Sequence, residues 1–172
     1  MLHFSLNSNH VHPLIAHILI IMLLTAPSLV IVGIRLSAHK RRLYLGSALA
    51  IMVLGTTATF VAFATGEAAM GVVGSTPALK VALEEHRTLA ETTRELFSLL
   101  TLGFAALFFA PRLLRRELDS RINSALLAIF LLLYATGALF LVHTALQGGQ
   151  LVRDLGAKTA TTYQLSRKES VR

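Results

Sequence analysis

Seven histidines are spread along a chain of 172 residues. Four of them, His3, His10, His12 and His17, crowd the start of the first apolar stretch, in and before the run His10-Val11-His12-Pro13-Leu14-Ile15-Ala16-His17. His86 precedes the third apolar stretch and His143 ends the fourth, while His39 stands apart beside Lys40-Arg41-Arg42. Imidazole ligates metals and haem at neutral pH and also carries protons. Ionisable groups at membrane depth are costly and usually have a task. The chemistry open to this set is therefore metal or haem ligation, or proton handling. Thiol chemistry, disulfides and iron–sulfur clusters are excluded within the chain, which has no cysteine.

The elements that must position these residues read as membrane helices. Only 15% of the residues are charged and 54% are hydrophobic, well below the roughly 25% charged share of a soluble domain. The apolar residues gather in blocks instead of alternating with polar ones. Spans are expected at about 14–34, 44–65, 77–114 and 122–144, each near or above the roughly 20 residues a bilayer core needs. The third is mixed in its first half, where Glu91, Arg94 and Glu95 interrupt it. Ser75-Thr76-Pro77 marks its start, with a capping hydroxyl before a first-turn proline. Pro27 is expected to kink the first helix. The expected fold class is an all-α, four-helix membrane bundle over residues 1–157, followed by a polar tail at 158–172 that can dock on a partner or stay disordered.

Orientation follows from the basic residues. Arg35, Lys40, Arg41 and Arg42 follow the first span, and Arg112, Arg115, Arg116 and Arg121 follow the third. No Lys or Arg precedes the first span, which argues against a cleaved signal peptide. The positive-inside rule then makes both basic loops cytoplasmic and both termini periplasmic, in a bacterial inner membrane. The basic C-terminal tail disagrees, but most of its charges lie far from a span, where the rule weakens. The net charge of +7 is mainly this topology signal. A nucleic-acid partner is not expected, because half of the basic residues sit in two short loops.

This topology brings His17, His86 and His143 from three helices to one depth, with Glu67 on the fourth. Thr136, His143, Gln147 and Gln150 share a stripe at helical spacing, as do His86 and Thr93, and Thr56, Phe60 and Glu67. Gly46, Ala50, Gly55, Gly66, Gly103 and Gly137 suit close helix packing.

His12-Pro13-Leu14-Ile15-Ala16-His17 resembles the opening His-Pro-x-x-x-His of the bacterial membrane proteins grouped as domain-of-unknown-function family 2231. Thr65-Gly66-Glu67, Glu84-Glu85-His86, and His143 followed by Gly148-Gly149-Gln150-Leu151-Val152 resemble its later motifs, in order, over about residues 12–157. Arg153 departs from the aromatic residue of many relatives. The resemblance implies a four-helix membrane domain of undefined activity that is often suspected of binding haem.

The residues themselves suggest the same direction. A b-type haem in a bundle needs two imidazoles from different helices and polar or cationic groups near its propionates. His17, His86 and His143 are the candidate ligands, with His12 and Glu67 as further ones. Arg87, Arg94 and Arg153 are candidate propionate partners, and Phe60, Phe97 and Phe140 are candidate slot walls. Such a site suits electron exchange with a periplasmic cytochrome or with quinol, within a larger respiratory or photosynthetic membrane complex. Two alternatives stay open. One is a bare zinc, copper or iron site built from the same histidines, although His12 and His17 are five apart and face different ways on a regular helix. The other is a haem-free accessory or assembly subunit in which the histidines only hydrogen-bond.

Overall fold

The computed structural model describes residues 8–70, 77–113 and 120–170, with side chains over 12–68, 77–113 and 121–153. His3, Ser75, Thr76, Leu114, Arg115 and Arg116 lie outside the described residues. So do the side chains of His10 and of the tail after Arg153.

Four helices account for the described chain: α1 Ser8–Ile34, α2 Ala38–Met70, α3 Pro77–Leu113 and α4 Ser120–Ser170. All four are long and apolar enough to cross a membrane. Their ends run past the apolar runs. A 37-residue α3 is about 55 Å long at 1.5 Å per residue, against a hydrocarbon layer of roughly 30 Å. The surplus holds the charged turns between Lys80 and Glu95. Likewise α4 stays helical to Ser170, through the polar segment after residue 157. Hydropathy marks the stretch that suits lipid, whereas the backbone bonds of the helix continue beyond it.

Contacts between the helices set an up-down-up-down order. Gly33 lies against Tyr44, Gly55 against Leu23, and Gly66 against His12, so α2 runs back along α1. Thr56 meets Thr101 while Glu67 meets Arg87, so α3 runs back along α2. Thr93 meets Thr144 and Phe104 stacks on Phe130 at 4.8 Å, so α4 runs back along α3. The square closes through α1 and α4. The diagonal pairs α1/α3 and α2/α4 make no backbone contact among the described residues.

The centre is a narrow apolar column. Leu23, Ala26 and Val30 of α1 face Met52 of α2, Phe97 and Phe104 of α3, and Phe130 and Tyr134 of α4. Phe97 and Tyr134 meet edge-on at 5.4 Å, a favoured aromatic geometry. The outside is as apolar as the inside: Leu14, Ile21, Leu54, Leu99, Leu102, Leu132 and Leu139 are all exposed. Exposure of this kind is unfavourable in water and suits a lipid solvent.

With no hydrophobic driving force between helices in lipid, close packing and hydrogen bonds hold them together. Each neighbouring pair carries a polar tether. His12 Nδ1 lies 2.8 Å from the Ala62 carbonyl, joining α1 to α2. The Thr56 and Thr101 hydroxyls lie 2.7 Å apart, joining α2 to α3. Those of Thr93 and Thr144 lie 2.9 Å apart, joining α3 to α4. Tyr134 donates its hydroxyl to the Leu23 carbonyl at 2.7 Å, joining α4 to α1. This last bond has a specific cause. Pro27 has no N–H to return to the carbonyl four residues earlier, which is Leu23. Helix α1 nevertheless continues through Pro27, and the orphaned carbonyl takes its proton from α4.

Two glycines let the column close. A Cβ on Gly55 would stand 2.8 Å from Leu23, and one on Gly137 would stand 2.9 Å from Leu100. Gly103 meets open space, so its small size has no packing role in the described chain.

Tyr134→Phe is expected to cost about 1 kcal/mol of stability in detergent, at the upper part of the range for membrane hydrogen bonds. In a Pro27→Ala background, where residue 27 regains an N–H for the Leu23 carbonyl, the same substitution should cost clearly less. Thermal or denaturant unfolding of the four proteins in this double-mutant cycle measures the coupling.

Candidate functional site: two inward imidazoles at one end of the bundle

The end formed by the start of α1 and α3 and the later turns of α2 and α4 carries the chemistry-bearing residues. His12 comes from α1, Thr65, Gly66 and Glu67 from α2, His86 and Arg87 from α3, and Gln147 and Gly148 from α4. The opposite end carries Arg35, Arg41, Arg42, Arg112 and Arg121.

His12 is half-buried and turned inward. The Ala62 carbonyl can only accept, so Nδ1 carries the proton and donates it. The Thr65 hydroxyl also lies 3.3 Å from this nitrogen. A neutral ring so held leaves Nε2 with its lone pair, the arrangement of a ligand imidazole anchored by its other nitrogen. The ring rests on Gly66, where a Cβ would stand 3.1 Å from its Cε1.

His86 is the second inward imidazole. Its ring rests on Gly148 of α4, where a Cβ would stand 2.9 Å from Cε1. Its Nδ1 is buried and has no hydrogen-bond partner, and the same holds for Oε1 of Gln147. A buried polar atom without a partner costs about 1–3 kcal/mol, so such atoms normally meet water or another polar group. His12 and His86 come from α1 and α3, the diagonal pair, at the same end of the bundle, the first seated against α2 and the second against α4.

The other histidines point elsewhere. His17 is exposed, and its Nδ1 donates to the Pro13 carbonyl of its own helix at 2.6 Å. The five-residue offset explains the exchange: with His12 inward, His17 must turn outward. His143 is also exposed. On its stripe Gln147 faces in, whereas Thr136 and Gln150 are exposed. Of the expected trio, His17 and His143 are thus exposed and only His86 is half-buried, while His12 is the other half-buried imidazole at this end. His39 is exposed in the first turn of α2.

The charged candidates are largely engaged. Arg87 bonds Glu67 at 2.9 Å, with both side chains well exposed, so the pair contributes little to stability. Arg94 lies 3.2 Å from Glu91 and covers the Phe63 ring at 4.4 Å and the Phe60 ring at 5.4 Å. Arg153 is exposed. Phe60 and Phe140 are exposed and Phe97 is sealed in the central column, so the three do not line one slot. No group of three or more His, Asp or Glu able to hold a metal ion occurs among the described residues.

Sequence reasoning missed two participants. The sequence offers Gln147 only as part of a stripe and Gly148 only as part of the motif that resembles family 2231. The signal for both is their register: they lie opposite His86 once α3 and α4 are paired through Thr93 and Thr144. Compared with known proteins, the chain matches no family model, no curated protein and no solved structure. The resemblance to family 2231 thus rests on the quoted motifs alone.

Gly148→Ala is expected to displace the His86 ring, because the new methyl group would collide with Cε1. Gly149→Ala, which meets open space, should leave the ring in place. The imidazole 1H–15N spectrum of the protein in micelles distinguishes the two, and an unmoved His86 signal in Gly148→Ala would contradict this packing.

Proposed function

We propose that this protein is a small, multi-pass electron-transfer subunit of the bacterial inner membrane that holds a b-type haem between His12 and His86. One observation carries the reading: two half-buried imidazoles from diagonal helices lie at the same end of the bundle, with His12 held through Nδ1 and His86 Nδ1 buried without a partner among the described residues. The donor count favours haem over a bare ion. A porphyrin supplies four nitrogens and asks the protein for two axial ligands. Zinc, copper or iron alone needs a fuller protein set, which the described residues do not assemble.

On this reading His12 is positioned by the Ala62 carbonyl and His86 by Gly148. Arg153, exposed on α4, is the cation best free to meet a propionate. A bound haem supplies one-electron redox chemistry. The protein's own part is to fix the two ring planes and to hold His12 in one tautomer. The basic loops lie at the other end of the bundle, so the positive-inside rule puts the imidazole pair on the periplasmic side. Its exchange partners are then a periplasmic cytochrome or quinol, with further membrane subunits against the apolar exterior. The resemblance to family 2231 supports the same direction.

A second reading has its own support. The His12 ring already donates to backbone, and glycine contacts seat both rings against neighbouring helices. A haem-free accessory or assembly subunit, with the pair serving as a structural tether, suits those contacts.

Visible spectra of the purified protein, oxidised and dithionite-reduced, separate the two. With haem supplied during expression, a sharp Soret band and a reduced α-band are expected. His12→Ala and His86→Ala should each abolish or shift them, while His17→Ala and His143→Ala should not. A folded but colourless protein overturns the haem reading, and sensitivity to His17 or His143 alone overturns the pairing.

A further inference from the structure

The opposite end of the bundle holds a different site, independent of the imidazole pair. The first turns of α2, the end of α3 and the start of α4 enclose an open recess of about 380 Å³. Its walls carry three arginines, Arg41 and Arg42 from α2 and Arg112 from α3, above a floor that includes Leu45, Phe104 and Leu107. No carboxylate lines it among the described residues. None of the three arginines has an ion pair or hydrogen bond from its side chain among the described residues.

Arg41 makes the recess more than a basic surface. Its Nη2 is buried and has no acceptor. A guanidinium group cannot shed its charge, and a buried N–H without an acceptor is unfavourable. The amino-terminal turn of α2 adds its own positive field at the same place. An anion is the missing partner, and guanidinium groups suit phosphate oxygens in particular.

The recess also sits at the level where a lipid phosphate would lie. The apolar spans end here, and Leu43, Leu113 and Ile122 are exposed beside the arginines. A phosphate in the recess would leave two acyl chains free to descend along apolar helix surfaces. Basic pockets between membrane helices are suited to anionic head groups. We propose that this recess binds the phosphate of an anionic phospholipid, with Arg41 as the central contact and Arg42 and Arg112 closing around it.

Native mass spectrometry of the full chain in detergent tests this, with phosphatidylglycerol, phosphatidylcholine of the same chain length, and inorganic phosphate as separate additions. Selective retention of one phosphatidylglycerol is expected. Arg41→Gln and Arg112→Gln should each weaken it about fivefold, the effect of roughly one interfacial cation. Arg35→Gln removes the same charge from an exposed position outside the recess and should leave retention unchanged. Circular dichroism checks folding, and exposed Arg112 carries the test if Arg41→Gln does not fold. Equal retention of phosphatidylcholine, equal loss in Arg35→Gln, or full displacement of the lipid by millimolar phosphate would each overturn the proposal.

Discussion

The bundle depends on a carbonyl that its own helix leaves unpaired. Inside a bilayer every backbone polar group must be satisfied by the protein. Pro27 breaks that rule at Leu23, in the middle of α1, and the Tyr134 hydroxyl of α4 restores it at 2.7 Å. This contact closes the square of helices at its least extensive edge, between the first and last. It also fixes register, because Tyr134 packs edge-on against Phe97 and Leu23 presses into the space that Gly55 leaves open. A shift of one turn in α1 or α4 would strand both the carbonyl and the hydroxyl in an apolar column.

The remaining tethers repeat the principle with hydroxyls. Thr56 with Thr101 and Thr93 with Thr144 lie buried on the inner side of their helices. Each is worth little alone in lipid. Together they specify which of several equally oily faces turns inward, a choice that hydrophobicity cannot make when the solvent is itself hydrocarbon. His12 belongs to this set through Ala62, tying α1 to α2 near the bundle end.

The two ends of the molecule are chemically opposed. One gathers imidazoles, an amide and an exposed ion pair around His12 and His86. The other gathers arginines around a recess, with Arg41 partly buried and its Nη2 unsatisfied. Both ends contain a buried polar atom without a protein partner, and both are framed by helix starts and ends instead of mid-membrane turns. The central column between them is closed by aromatic packing.

Much of this was legible without coordinates. Block-wise hydropathy suffices to identify four membrane-length helices, since lipid solvation demands long apolar runs whatever they pack against. The clustering of histidines toward one end followed from helix order alone. What the sequence could not decide was which face of each helix turns inward. In a soluble helix polar residues mark the outer face. Here Leu and Ile line both faces, so that mark is missing, and the position of His17 inside the apolar run favours it over His12. Tertiary pairing decided it: the His12 bond to Ala62, and the Thr93 and Thr144 contact that sets Gly148 under His86, turn these two imidazoles inward while His17 and His143 stay exposed. The physical reason is that interior faces in a membrane are chosen by small residues and a few hydrogen bonds, and these acquire meaning only once the helices are set side by side.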